Sequence, residues 1–118
     1  MSFLLPGGGL EPGETAHEAL AREMREEAAV GCAIGDLRYV VEARSPNGAK
    51  HLVQLVFDAT LDGEVGASSD PRVAACEWHD IEALRTLNVH PAVGPQLADD
   101  LRAGSALRCR YLLAAWVV

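Results

Sequence analysis

Glu23, Glu26 and Glu27 stand at i, i+3 and i+4 in a stretch, Ala16 to Ala29, built mostly of strong helix formers with no Pro or Gly. On a helix that spacing sets three carboxylates on one face. Like charges so placed repel and weaken an isolated helix. A hard divalent cation gives such a cluster a use, because Mg2+ and Mn2+ prefer oxygen ligands and would cancel the repulsion. Water and substrate phosphates would complete the coordination. The bland alternative is a solvated acidic face balanced by Arg22 and Arg25. The preceding loop favours a built site. Gly7, Gly8 and Gly9 run toward the helix and let the backbone approach a ligand and offer it a carbonyl. Glu14, at the loop–helix junction, can reach Arg22 two turns on and fix the loop against the helix.

These residues need elements to position them. Phe3-Leu4-Leu5 reads as the end of a strand, broken by Pro6 and the glycines. Thr15 with Glu18 makes a capping box, so Thr15 is the expected N-cap. Leu20, Met24 and Ala28 form the expected buried stripe, and Gly31 the expected stop. Leu37–Arg44 and His51–Leu61 read as two strands joined by the turn Ser45-Pro46-Asn47-Gly48, an antiparallel hairpin. Asp62 to Arg72 is a loop. Val73 to Trp78 reads as a further strand, Ile81 to Thr86 as a short helix and His90 to Arg102 as a second helix, begun at Pro91 or Pro95. Tyr111 to Val118 reads as a buried strand or packed tail. Trp78 and Trp116 are expected core anchors. The pattern is α/β or α+β.

Composition narrows the classes. The chain has 118 residues, 49% of them apolar, enough for one cored domain over 1–118 and against disorder. Ten Lys and Arg against 17 Asp and Glu give a formal charge of −7, which argues against a general nucleic-acid or membrane-surface binder. Cys32, Cys76 and Cys109 are odd in number and widely spaced, without a CxxC pair; they read as reduced, mostly buried thiols of a cytoplasmic protein. No signal peptide and no membrane-length apolar run is visible.

The stretch from Gly8 to Val30 resembles the signature of the Nudix hydrolases, G-x5-E-x7-R-E-U-x-E-E-x-G-U with U a bulky aliphatic. Gly8, Glu14, Arg22, Glu23, Met24, Glu26, Glu27 and Val30 match at fixed spacing, and Ala29 alone departs. The resemblance implies an α/β/α sandwich with a mixed β-sheet, and hydrolysis of the pyrophosphate bond of a nucleoside diphosphate linked to another moiety. It implies Mg2+ or Mn2+ held by Glu23, Glu26, Glu27 and the Gly7 carbonyl. One of the three glutamates would be general base, and Gly8, Glu14 and Arg22 would support the site. The substrate would be a small nucleotide derivative, not a nucleic-acid polymer. The alternative is a catalytically weak or inactive nucleotide- or metal-binding module of the same fold.

Some members take a further carboxylate from a later loop, for which Asp70 and Glu77 are candidates, with Glu64 behind them. Pro46 falls near the distance of a loose marker of ADP-ribose-type members; a plain hairpin turn is the competing reading. His51 is expected to be structural rather than substrate-facing. The helix is expected to run past Ala29 toward Gly31, where alanine is harmless; a positive φ at Ala29 would instead cost about 1 kcal/mol. Family members usually carry about thirty residues before the Pro-Gly-Gly turn, and with five the sheet is expected to lack N-terminal strand(s) and expose an edge; a true start further upstream, a homodimer that covers the edge and a loss of catalysis are the three competing explanations.

Overall fold

The computed structural model describes residues 3–104 and 109–116. In chain order the elements are β1 (Phe3–Leu4), α1 (Ala16–Ala28), β2 (Cys32–Arg44), β3 (His51–Leu61), a 3-10 turn of helix (Ile81–Arg85), β4 (Val89–His90), α2 (Gly94–Ala103) and β5 (Arg110–Leu113). β1 pairs with β4 in parallel, Phe3 beside Val89. A second sheet runs β3-β2-β5. β2 and β5 are parallel, Val41 beside Leu112. β3 returns antiparallel to β2, since Ser45 N–H donates to Lys50 at the turn and Asp62 N–H to the Gly31 carbonyl at the far end. The strands are therefore mixed, and the fold class is the expected α/β.

The chain gathers into two compact units. One comprises residues 1–5, 36–57 and 79–118, the other residues 6–35 and 58–78. The first has a core of Tyr39, Val41, Val93 and Leu97, against which Val56, Leu84, Leu101 and Leu112 pack. Tyr39 and Val41 stand at alternate positions of β2, and Leu97 and Leu101 on one stripe of α2, the periods expected of a half-buried sheet and an amphipathic helix; Val93 caps α2 and Leu84 comes from the 3-10 turn. The second has a core of Met24, Ala28 and Val30, joined by Leu20, Cys32, Leu61, Val65 and Cys76.

Thr15 caps α1 as expected: its hydroxyl accepts from Glu18 N–H, and the Glu18 carboxylate accepts from Thr15 N–H. The other end differs. α1 stops at Ala28, and Ala29 is the C-cap at φ 51°, ψ 39°, its N–H donating to the Arg25 carbonyl. The expectation of a helix continuing to Gly31 is corrected. Gly31 answers a different need, because a Cβ there would lie 2.5 Å from Oδ2 of Asp62.

Four other expectations are also corrected. Val73–Trp78 forms no strand ladder: Val73 N–H turns back to the Asp70 carbonyl, and Cys76 alone packs on the α1 cluster. Trp78, carried on that unpaired segment, is 76% exposed and anchors no core. Tyr111 and Leu113 are exposed as well, because β5 is the last strand of its sheet and only alternate positions face the core. Cys109 is exposed rather than buried. Helix α2 starts at Gly94, with Pro95 in its first turn. Residues 117 and 118, within the expected C-terminal run, lie outside the described residues.

Candidate active site

All the residues expected at the site fall in the unit formed by residues 6–35 and 58–78. α1 presents Glu23, Glu26 and Glu27, and the glycine loop meets it through Glu27, whose Oε2 accepts the Gly7 N–H at 2.8 Å. Gly8 lies so close to α1 that a Cβ there would fall 2.4 Å from Glu23 Oε1. Only a residue without a side chain lets Glu23 keep that place.

Arg22 and Glu14 meet as a fork: Arg22 Nε donates to Glu14 Oε2 at 2.7 Å and Nη2 to Oε1 at 3.0 Å. Glu14 also accepts Glu11 N–H, and Arg22 Nη2 reaches the Gly9 carbonyl at 3.1 Å. One guanidinium thereby ties both ends of the loop to the helix. Its remaining nitrogen, Nη1, bridges Glu23 at 2.9 Å and Glu26 at 3.4 Å. The Arg22 hydrogen bond and the Glu11 N–H hold the Glu14 carboxyl below its ordinary range.

Glu27 moves the other way. Burial pushes its pKa up against the Gly7 N–H, and the charges of Glu23, Asp70 and Glu26 push it further. Three carboxylates thus bear on Glu27 here. A donor set made only of carboxylate and carbonyl oxygens fits a hard cation such as Mg2+ or Mn2+. Among the described residues no three His, Cys, Asp or Glu already stand in a metal-holding group. The Arg22 bridge occupies the oxygens that a cation would take.

Of the distal candidates, the structure brings Asp70 to this face. Glu64 and Glu77 are exposed, and Glu77 acts on Cys76. The loop bearing Asp70 is clipped to the end of α1. Gly66 N–H donates to the Ala28 carbonyl, while Ser69 N–H (2.7 Å) and the Ser68 and Ser69 hydroxyls (both 3.1 Å) all donate to the Glu26 carbonyl. These carbonyls would otherwise be orphans of the helix terminus. Sequence reading missed the two serines and Arg72, which grips Asp70 and holds its carboxyl down at about 2. The Asp70-Pro71 turn signal, with a cation two residues on, was the only hint.

Neither His51 nor His79 lies in this unit. His51 pairs with Glu42 in the other unit, and His79 stacks edge-on against Phe3. Pro46 sits in the turn where Gly48 N–H donates to the Ser45 carbonyl, its bland reading.

A glycine loop clasped to an acidic helix face, in an α/β fold, is the arrangement that the sequence resemblance implied. The NUDIX domain family matches residues 2–99, and the chain belongs to the Nudix family as a pyrophosphohydrolase. It is 32% identical over 99 residues to the Nucleoside triphosphatase NudI of Enterobacter sp. (strain 638), covering 76% of this chain and 70% of that one. It is 36% identical over 88 residues to the ADP-ribose pyrophosphatase of Methanocaldococcus jannaschii, covering 72% of this chain and half of that one. The solution structure of the E. coli ORF135 protein matches with a TM-score of 0.65 at 26% identity, over 86% of this chain and 69% of that one.

Proposed function

We propose that this protein hydrolyses the pyrophosphate bond of a nucleoside diphosphate joined to another moiety, with Mg2+ or Mn2+ as cofactor. The observation that carries the reading is Glu27, a part-buried carboxylate fixed by the Gly7 N–H and pressed by Glu23, Asp70 and Glu26. Glu23, Glu26, Glu27 and the Gly7 carbonyl would hold the cation, with Asp70 as a further carboxylate beside them. When bound there, the cation would neutralise charge on phosphate oxygens and acidify water. Within the chain, one glutamate of the three accepts the proton of the attacking water. Arg22 and Glu14 keep the loop registered on α1, and Gly8 leaves room for Glu23.

The partner is a small nucleotide derivative, not a nucleic-acid polymer or a membrane. No helix among the described residues is long and apolar enough to cross one. Cys32, Cys76 and Cys109 are free thiols, which supports the reducing cytoplasm as the compartment. A second copy of the chain pairing along β3, where Leu52, Val53 and Leu55 are exposed, is the proposed assembly. Sedimentation that finds only monomer at high concentration rejects it.

One observation favours a second reading, a weak or inactive binding module: Arg22 already satisfies Glu23 and Glu26. Hydrolysis of a panel of nucleoside diphosphate derivatives with Mg2+ and Mn2+, beside Glu26→Gln, separates the two. Metal-dependent turnover lost in the variant supports the enzyme. Metal binding without turnover on any substrate supports the module.

A further inference from the structure

The substrate proposed above is a polyanion, and the unit that would receive it has eleven Asp and Glu against three Arg. Arg22 is only 23% exposed and is committed to Glu14, Glu23, Glu26 and the Gly9 carbonyl. Arg25 makes its charge felt at Cys32. Arg72 differs from both. Its side chain is 86% exposed and is held by one carboxylate, with Nε 3.0 Å from Asp70 Oδ1 and Nη2 2.8 Å from Oδ2. Its backbone N–H also donates to Asp70 Oδ1. The charges of Glu23 and Glu27 also act on Arg72. Its loop is anchored by the serine bonds to the Glu26 carbonyl, and Ser68 Oγ accepts the Asp70 N–H. The backbone is fixed beside α1 while the guanidinium stays in solvent.

We propose that Arg72 is the substrate's phosphate-gripping residue, exchanging the Asp70 carboxylate for a pair of phosphate oxygens. A carboxylate and a phosphate offer the guanidinium fork the same two-oxygen edge, so the bidentate geometry carries over. The exchange swaps one anion for another on Arg72 and leaves Asp70 free beside Glu27. Asp70 is then the resting partner that keeps the fork oriented in the empty site. The proposal rests on the pyrophosphohydrolase reading and names the residue that recognises the phosphate.

The test is calorimetric binding of inorganic pyrophosphate at saturating Mn2+, with KM and kcat measured on any substrate turned over. The proteins are the wild type, Arg72→Ala, Arg72→Lys and Asp70→Asn. Arg72→Ala is expected to weaken pyrophosphate binding on the order of tenfold or more and to raise KM far more than it lowers kcat. Arg72→Lys, which keeps the charge without the fork, falls between. Asp70→Asn, which leaves the Arg72 fork in place, is expected to weaken pyrophosphate binding at saturating Mn2+ less than Arg72→Ala does. Equal weakening by Asp70→Asn and Arg72→Ala makes the pair structural and overturns the proposal, as does an Arg72→Ala protein with unchanged affinity. Pyrophosphate binding that needs Arg72 without turnover of any substrate rejects the enzyme reading alone. Turnover with Arg72-independent binding rejects this proposal alone. A wild type that neither binds nor turns over rejects both.

Discussion

The Gly7 N–H and Glu27 Oε2 stand 2.8 Å apart across twenty residues of sequence, so a carboxylate of the site is also the clasp between loop and helix. Glutamine at 27 keeps an oxygen for that N–H and removes the charge that burial, Glu23, Asp70 and Glu26 all oppose. Glu27→Gln should therefore cut metal-dependent hydrolysis by orders of magnitude while melting at the wild-type temperature or above in EDTA. Glu26→Gln should behave alike, since the Glu26 carboxylate is held by Arg22 at 3.4 Å and glutamine keeps an oxygen for it. Full rate in either variant removes that residue from the proposed machinery.

Gly8 offers a cleaner separation of fold from function. Its backbone needs no left-handed conformation; the constraint is the Glu23 carboxylate, 2.4 Å from where a Cβ would stand. The far end of a flexible side chain can move aside, so Gly8→Ala should alter melting by less than about 1 kcal/mol. The same displacement takes Glu23 from its place, and Mn2+ affinity, followed by the ion's paramagnetic signal, should fall about tenfold or more. An alanine variant with unchanged Mn2+ affinity means Glu23 holds no metal.

The contrast between these residues and the rest shows what could be read from the chain. The Thr15–Glu18 cap, the hairpin around Ser45–Gly48 and the Glu14–Arg22 contact depend on local spacing along one helix or turn, and spacing is visible in sequence. The clip of Ser68 and Ser69 onto Glu26 joins segments more than forty residues apart, and no local pattern encodes it. Trp78 misled for a related reason. Its apolar neighbourhood suggested a strand, yet burial there depends on a pairing partner that the segment does not find. At Ala29 the residue type pointed away from a left-handed cap, and the loop crossing at Gly66 places one there all the same.

That conformation at Ala29 gives a prediction of the opposite sign from most substitutions. At φ 51° the alanine Cβ crowds the backbone, a cost of roughly 1–2 kcal/mol that glycine avoids. Glycine loses more chain entropy on folding, which returns about half of the gain. Ala29→Gly should thus stabilise the protein by about 0.5–1 kcal/mol, a rise of a few degrees in Tm. An unchanged or lower Tm means the cap is not strained.

The pair formed by the Tyr39 hydroxyl and the Asp100 carboxylate makes stability depend on alkaline pH. Tyr39 has no exposed surface, and burial with the Asp100 hydrogen bond pushes its phenol up to about 12 from 10.0, against the opposing pull of Arg38. The folded protein therefore holds that proton more tightly than the unfolded chain does. The contribution is whole below pH 10 and is lost as pH rises through 12, up to roughly 3 kcal/mol in all. Asp100 has the reverse sign: the Tyr39 hydroxyl, then Arg110, lower its pKa, so its contribution is whole above its ordinary 3.8 and fades as pH falls below it. Denaturant titrations of wild type and Tyr39→Phe from pH 9 to 12 isolate the phenol. The stability difference between the two proteins should shrink steadily across pH 10 to 12, and a constant difference means that Tyr39 does not carry the titrating proton.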